Sequence, residues 1–177
     1  MPARPERVRR VWRLPWARLL RPAARVRTVY DIEPHLLLAR GIRGLILDLD
    51  NTIVPWGTWH VAPELAVWIA ALKAEGLQLC IVSNNLGARV RHLARALGLP
   101  AVTSALKPGP LAIRRALRQM GTDPATTALV GDQLFTDILG GNLLGLHTIL
   151  VHPQSRRGFP LTRIVRLAES LFLGKRT

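Results

Sequence analysis

The sequence has almost no cysteine, few acidic residues and no apolar run long enough to cross a bilayer. One cysteine in 177 residues excludes a disulfide framework, and we expect a reducing compartment. The longest apolar stretches fall short of the roughly 20 residues that span a membrane, and the basic N-terminus lacks the apolar core of a secretory signal. Hydrophobic residues make up 49% of the chain and charged residues 20%, which indicates one ordinary globular domain. We therefore expect a soluble, cytoplasmic protein.

The shortage of acidic residues is concentrated at the two ends of the chain. Lys and Arg number 25 against 11 Asp and Glu, which gives a net charge of +14. Residues 1–30 contain nine arginines and one glutamate, residues 152–177 contain six basic residues and one glutamate, and residues 31–151 are nearly neutral. Basic ends on a neutral body favour an anionic surface close to the fold. We predict a basic amphipathic N-terminal segment at 1–30, a central domain at 31–152 and a basic C-terminal tail or helix at 153–177.

Apolar runs and helical stretches alternate from Gly44 onwards. The runs typical of buried strands are GLILDLD, LQLCIV, AVTSA, TTALVGD and HTILVHP. Stretches with helical spacing or helix boundary signals separate them, at 63–75, 86–97, 109–120 and 134–144. This alternation predicts an α/β fold with a doubly wound parallel sheet and helices on both of its faces.

Polar residues follow the apolar runs at the points where the predicted strands end. In chain order they are Asp48, Asp50, Asn51, Thr52, Ser83, Asn84, Lys107, Asp132 and Asp137. Ligands of such sheets bind beyond the carboxyl ends of the strands, so we expect these side chains to converge on one rim.

The residue types on this rim suit transfer of a phosphoryl group. Asp48, Asp50 and Asp132 would repel one another strongly unless a divalent cation lay among them. Carboxylate oxygens together with a phosphate ester select Mg²⁺. One carboxylate can attack phosphorus, and a second can give a proton to the leaving group and take one from water. Hydroxyl and ammonium groups nearby can neutralise the phosphoryl oxygens.

The order of the motifs DLDNT, SNN, KP and GDQLFTD resembles that of the haloacid dehalogenase (HAD) superfamily of phosphatases, over about 44–152. The resemblance implies Asp48 as the nucleophile and Asp50 as the acid and base. Superfamily ATPases carry Thr at that second position, so an acid there implies a hydrolase. Ser83 and Lys107 would then be phosphate ligands.

The same resemblance implies the remaining site residues. Asp132 would bind Mg²⁺ together with Asp48 and the backbone carbonyl of Asp50, and Asp137 would contribute through a water or from outside the ligand set. The candidate phosphate-binding set is completed by Asn51, Thr52 and Asn84. Two alternatives stay open: Asn84 also suits a turn, and Asp137 also suits the first turn of a helix.

A closer resemblance is to subclass IIIA, the YqeG-like proteins related to mitochondrial phosphatidylglycerophosphate phosphatases. It is carried by VYDIEPHLLLARGIRGLILDLDNTIVPW, SNN and GDQLFTDILGGNLLGLHTILV, and it extends the similar span to about 28–152. It implies a magnesium-dependent phosphomonoesterase acting on a phosphatidylglycerophosphate-type lipid. One departure is Asn142-Leu143-Leu144, which lacks the basic residue often found near that site.

The intervals between the motifs leave no room for a cap. Asp50 and Ser83 are 33 residues apart, and Ser83 and Lys107 are 24 apart, and each interval is filled by one helix and short loops. A site without a lid is open to a phosphate on a large object such as a bilayer. Trp56 and Trp59 follow the first motif, where they either line the entrance or anchor the loop.

The basic ends and the substrate admit several interpretations. The arginines can be solvated tails, a peripheral contact with the inner face of the membrane, or a contact with RNA or a ribosomal particle. Trp12, Trp16 and the apolar face of 161–172 favour lipid. Two functional alternatives remain: a phosphatase of a protein, nucleic acid or soluble metabolite, and an RNA-binding module that retains the fold. The sequence predicts no oligomeric state.

Overall fold

Six parallel strands form a single sheet in the computed structural model, which describes residues 15–155. The strands are β1 (Ala24–Val26), β2 (Gly44–Leu47), β3 (Gln78–Val82), β4 (Ala101–Val102), β5 (Thr127–Gly131) and β6 (His147–Val151). Their order across the sheet is β1-β6-β5-β2-β3-β4, and every neighbouring pair is parallel. From β2, in the middle of the sheet, the chain continues to β3 and β4 on one side and then to β5 and β6 on the other. This reversal of direction places a topological switch point beside β2.

Helices connect the strands. They are α1 (Pro34–Ala39), α2 (Pro63–Ala74), α3 (Ala88–Leu97), α4 (Pro110–Met120) and α5 (Leu139–Leu143). A π-helical turn at Leu134–Ile138 leads into α5. The sequence marks these boundaries with Pro at the start of α1, α2 and α4. Left-handed Gly98 and Gly121 end α3 and α4. The predicted α/β fold is confirmed.

Apolar layers cover both faces of the sheet. Alternate residues of β2 point to opposite faces: Leu45 and Leu47 join one cluster, whereas Ile46 joins another. The first cluster contains the buried faces of α2 and α3, and the second contains that of α4. Cys80 is fully buried in the second cluster, as its apolar surroundings predict. Helices therefore pack on both faces of the sheet, which is the doubly wound arrangement.

The strand β1 was not among the strands that the sequence predicts. It lies within 1–30, where Ala24-Arg25-Val26 offers little apolar surface to identify a strand, yet it pairs with β6 at the sheet edge. A 3₁₀ helix at Pro15–Leu20 precedes β1 and buries Ala17 and Leu20. This part of the N-terminal segment therefore packs on the domain, while 1–14 and 156–177 lie outside the described residues.

Asn142, the departure noted in the sequence, holds this N-terminal part in place. Its Nδ2 donates to the carbonyl oxygens of Leu19 at 2.7 Å and Arg21 at 3.0 Å. Its Oδ1 accepts from the Thr148 hydroxyl at 2.9 Å. An amide, which both donates and accepts, makes all three bonds, whereas a basic side chain has no acceptor.

Within residues 15–155, no helix has both the length and the apolar character needed to cross a bilayer.

Candidate active site

The residues that the sequence predicts for the site all follow the carboxyl ends of β2, β3, β4 and β5. Nine polar or charged residues are buried in the described part of the chain, and seven of them belong to this set. The seven are Asp48, Asn51, Thr52, Ser83, Lys107, Asp132 and Asp137. Burial of so many polar groups at one edge requires partners for each of them. This edge of the sheet is therefore the candidate site.

Lys107 lies between two carboxylates. Its Nζ donates to Oδ1 of Asp48 at 2.5 Å, to Oδ1 of Asp137 at 2.6 Å and to the carbonyl oxygen of Val82 at 3.1 Å. Burial alone would lower the pKa of the ammonium, but the charges of Asp137 and Asp48 outweigh it and raise the pKa above its ordinary value. Lys107 is therefore a fixed positive charge at the centre of the site.

Asp48 is held by contacts to both carboxylate oxygens. Oδ1 accepts from Lys107, and Oδ2 accepts from the Thr52 hydroxyl at 2.8 Å. The backbone N–H of Asp48 donates to Val130 on the neighbouring strand at 2.9 Å, which fixes the start of the loop. Burial raises the pKa of this carboxyl to about 6, and the charge of Lys107 opposes that rise. The carboxylate is thus shielded from bulk water and fixed in orientation.

Asp50 occupies a different environment two residues later. Asn85 and Arg89 both donate to its Oδ2, and the N–H of Gly57 donates to its Oδ1 at 3.3 Å. Arg89 also donates to the carbonyl oxygen of Thr58 at 3.0 Å. The side chains of Asp50 and Arg89 are each 12% exposed, so this ion pair is largely shielded from solvent. Asp50 is therefore paired independently of Lys107.

Two residues that contact Asp50, namely Asn85 and Arg89, are not among the site residues predicted from the sequence. Arg89 is the charged one. It lies in the first turn of α3, where the helix dipole disfavours a cation. A basic residue at a helix N-terminus directly after a motif is a signal that an acidic partner is close. The sequence carries that signal six residues after Ser83.

Three buried carboxylates form a candidate metal site. Asp48, Asp132 and Asp137 each offer an oxygen, and these oxygens lie within 4.8 Å of one another. The Lys107 ammonium contacts two of the three carboxylates, those of Asp48 and Asp137. Carboxylates grouped so closely in a buried place need positive charge near them. A divalent cation with a preference for hard oxygen ligands fits this donor set.

Gly131 makes room for one of these carboxylates. A Cβ on Gly131 would lie 2.3 to 2.4 Å from the side-chain atoms of Asp137, closer than real contacts permit. Asp137 also accepts from the N–H of Gln133 at 3.2 Å. In the pair Gly131-Asp132, the glycine therefore leaves space for the side chain of Asp137. Asp132 contributes a carboxylate to the candidate metal site.

The other candidate phosphate ligands have partners in the loops. The Ser83 hydroxyl accepts from the N–H of Asn85 at 3.2 Å, and Asn84 Oδ1 accepts from the N–H of Lys107 at 2.8 Å. Asn51 has a left-handed φ of 61°, and its Oδ1 accepts from the Ser155 hydroxyl at 2.7 Å. Asn84 and Asn51 thus fix loops in this structure, which agrees with the turn-forming alternative for Asn84. Their contact with phosphate stays a prediction.

Comparison with known proteins gives a consistent result. A family model described as HAD-hydrolase-like matches residues 105–158. The chain is 40% identical to the "Probable phosphatase YqeG" of Bacillus subtilis over 84% of this chain and 86% of the relative. It is 27% identical to a phosphatidylglycerophosphate phosphatase 1 of Arabidopsis thaliana, over 86% of this chain. The chain spans only about half of that plant protein, 47% of its length.

Solved structures share the fold. A protein from Listeria monocytogenes matches with a TM-score of 0.52 at 17% identity, over 73% of this chain and 98% of that one. The cobalt-bound deoxy-D-mannose-octulosonate 8-phosphate phosphatase of Haemophilus influenzae matches with a TM-score of 0.50 at 18% identity, over 63% and 69% of the two chains. At such identities the likeness concerns the fold alone.

Proposed function

Because this chain belongs to the HAD-type phosphatases, we propose that it hydrolyses phosphate monoesters with the help of Mg²⁺ and through a phosphorylated Asp48. One observation carries the proposal: the Asp48 carboxylate is buried, contacts the Lys107 ammonium, and groups with two further carboxylates that suit a divalent cation. Asp132 and Asp137 are those two residues, and with Asp48 they would hold the ion. A bound Mg²⁺ would neutralise charge on the phosphoryl oxygens.

The reaction runs in two steps on this chain's own residues. In the first, an oxygen of Asp48 bonds to phosphorus, the bond from phosphorus to the ester oxygen breaks, and Asp50 gives that oxygen a proton. In the second, Asp50 takes a proton from water, whose oxygen attacks phosphorus and frees Asp48 together with inorganic phosphate. Lys107 offsets the charge that develops on the phosphoryl group.

The surroundings of Asp50 indicate which oxygen carries the moving proton. Oδ2 is occupied by the donors Asn85 and Arg89, whereas Oδ1 accepts only the longer bond from Gly57 among the described residues. We assign the proton to Oδ1, because a protonated Oδ2 would face two donors.

For the substrate, we propose a phosphatidylglycerophosphate-type lipid at the inner face of the cytoplasmic membrane. Two relatives are named phosphatidylglycerophosphate phosphatases, although this chain spans only about half of each. A cap domain would be an insertion between β2 and β3 or between β3 and β4. In the described residues, the first interval contains one helix, α2, and the second contains one helix, α3, so neither contains a cap domain. The two basic ends of the chain add an attraction to anionic lipid.

The experiment measures inorganic phosphate released from two substrates, phosphatidylglycerophosphate in vesicles and soluble p-nitrophenyl phosphate. Each is tested with Mg²⁺ and with EDTA, and Asp48→Asn is the control variant. Magnesium-dependent release from the vesicles, absent in the variant, supports both the reaction and the lipid.

Two other outcomes separate the parts of the proposal. Release from the soluble ester alone would sustain the phosphatase and reject the lipid, and attention would move to soluble or macromolecular phosphates. No release from either substrate, with salt-sensitive binding to RNA, would favour the binding module instead.

A further inference from the structure

Four large apolar side chains stand exposed around the mouth of the site. They are Trp56, Trp59, Leu86 and Leu106, with 39%, 49%, 83% and 82% of their surfaces exposed. Each is the immediate chain neighbour of a group that contacts Asp50, Arg89 or Asp48. Large exposed apolar groups gathered at one place indicate an interaction surface. We call these four residues the apolar rim.

The two tryptophans belong to the loop after the first motif, and site contacts fix that loop. Trp56 precedes Gly57, whose N–H donates to Asp50, and Trp59 follows Thr58, whose carbonyl accepts from Arg89. The ring of Trp59 lies 5.6 Å from the ring of His92, one helical turn beyond Arg89. The tryptophans are therefore held beside the mouth, and both residues remain exposed.

The two leucines lie on two loops that are joined to each other. Leu86 follows Asn85, which donates to Asp50, and Leu106 precedes Lys107, which donates to Asp48. The loops are joined by the N–H of Ser104, which donates to the carbonyl oxygen of Asn85 at 3.2 Å. These two leucines are the most exposed large apolar residues in the described part of the chain.

The backbone of Leu106 has an unusual conformation. Its φ of 51° is left-handed, a conformation that is unfavourable for a bulky residue. The next residue, Lys107, is buried between Asp48 and Asp137. The side chains of two consecutive residues thus differ sharply: Lys107 is buried in the site and Leu106 is exposed. With 82% of its surface exposed, the Leu106 side chain is available for contact beside the mouth.

We propose that the apolar rim inserts into a phospholipid surface and presents the site to phosphate groups at that surface. This inference rests on the proposed phosphatase function and names the surface through which it would meet a lipid substrate. Tryptophan and leucine side chains of this kind favour the boundary between headgroups and acyl chains.

Charge selects a bilayer with anionic lipid as the occupant. The rim loops, at 55–60, 84–89 and 103–109, contain no Asp or Glu. Their two basic residues, Arg89 and Lys107, are paired with the carboxylates of the site. A chain with a net charge of +14 is drawn to an anionic surface, and the rim loops add no acidic residue that would oppose this attraction.

The test measures binding of the full chain to vesicles of phosphatidylcholine and phosphatidylglycerol, which contain no phosphate monoester. The variant Leu86→Ser with Leu106→Ser is compared with a matched control, Leu36→Ser with Leu143→Ser. The control residues are also exposed, at 45% and 55%, and lie on helices that lead into the amino ends of β2 and β6. Thermal unfolding of each variant confirms that it is folded.

We expect the rim variant to bind vesicles at least about tenfold more weakly than the control, because two leucines are no longer buried in the lipid. Equal binding by the two variants would overturn the proposal and leave the basic ends as the contact. Failure of the native chain to bind vesicles would overturn it as well, as would rim-dependent capture of a protein in place of lipid.

Turnover of soluble p-nitrophenyl phosphate by the native chain, measured separately, distinguishes this proposal from the proposed function. Rim-dependent vesicle binding without any turnover would uphold the surface and reject the phosphatase. Turnover without vesicle binding would uphold the phosphatase and reject the apolar rim as a lipid-binding surface.

Discussion

Arg89 and Asp50 are joined across 39 residues of sequence, and the same guanidinium also holds the loop that follows the first motif. Through Nη2 it donates to Oδ2 of Asp50, and through Nη1 to the carbonyl of Thr58. The proposed acid and base is therefore oriented by a residue from a different strand–helix unit. Within the part of the chain that the structure describes, Oδ1 of Asp50 accepts one longer bond, from the N–H of Gly57 at 3.3 Å.

Replacing Arg89 by Met should lower kcat by about 10 to 100 fold, part of the 10² to 10⁴ fold that a positioned acid and base contributes. KM should change little, because Arg89 supports the acid rather than holding the phosphate. Steady-state kinetics on an alkyl and an aryl phosphate monoester checks this: the loss should be larger for the alkyl ester, whose leaving group needs the proton more.

Arg89→Lys serves as the conservative variant, and it should recover part of the activity. Equal losses on both esters, or a loss that matches a lowered unfolding temperature, would assign Arg89 a structural role only.

Replacing Lys107 by Met should destabilise the fold by about 3 to 5 kcal/mol, because Asp48 and Asp137 would be left buried without their cation. Urea unfolding in EDTA measures this change. Lys73→Met is the matched control, since the Lys73 contact to Gly98 is exposed, and it should change stability by less than about 0.5 kcal/mol. Equal stability of the two variants would contradict the central position of Lys107.

Mg²⁺ should raise the unfolding temperature of the native chain, because a ligand that binds only the folded state stabilises it, by about 2.7 kcal/mol at 100 times Kd. Asp132→Asn should abolish that rise and the activity. Asp123→Asn, an exposed carboxylate before β5, should retain both. A magnesium-induced rise that survives in Asp132→Asn would place the ion elsewhere.

The Cys80 thiol should react very slowly with thiol reagents in the native state. Burial raises its pKa to about 12, so at pH 8 almost all of it is the unreactive thiol, and its side chain is shielded in the core. The thiolate fraction grows as the pH rises, and reagent access still requires opening of the fold. Colorimetric titration should therefore give one rapid equivalent in urea and none in buffer, whereas rapid reaction in buffer would contradict the packing of β3.

The sequence predicts the central strands, their helices and the convergence of site residues because each signal is local. An apolar run that ends in Asp48 or Asp132 indicates a buried strand, and the aspartate marks the polar edge of the sheet at which that strand ends. The parallel topology then brings such ends together without any further information.

The parts that the sequence missed depend on distant partners. Nothing in Ala24-Arg25-Val26 indicates a strand until β6 is available to pair with it. Asn142 shows its role only beside Leu19 and Arg21. The position of Arg89 at a helix start hints at an acidic partner, but that partner, Asp50, lies 39 residues away. Of the apolar rim, the sequence offers Trp56 and Trp59 as residues that could line the entrance, whereas Leu86 and Leu106 lie singly on two further loops, which no periodic pattern connects to the first.

The proposed reaction depends on phosphorylation of Asp48, which acid quenching during turnover with Mg²⁺ can detect. Mass spectrometry of the peptide containing residue 48 should reveal an added phosphoryl group in the native chain and none in Asp48→Asn. The variant Asp50→Asn should accumulate more of it with an activated aryl ester, because the base for the second step is gone while that leaving group needs no proton. Turnover by the native chain with no phosphorylated peptide, or phosphorylation that persists in Asp48→Asn, would show that Asp48 is not the nucleophile.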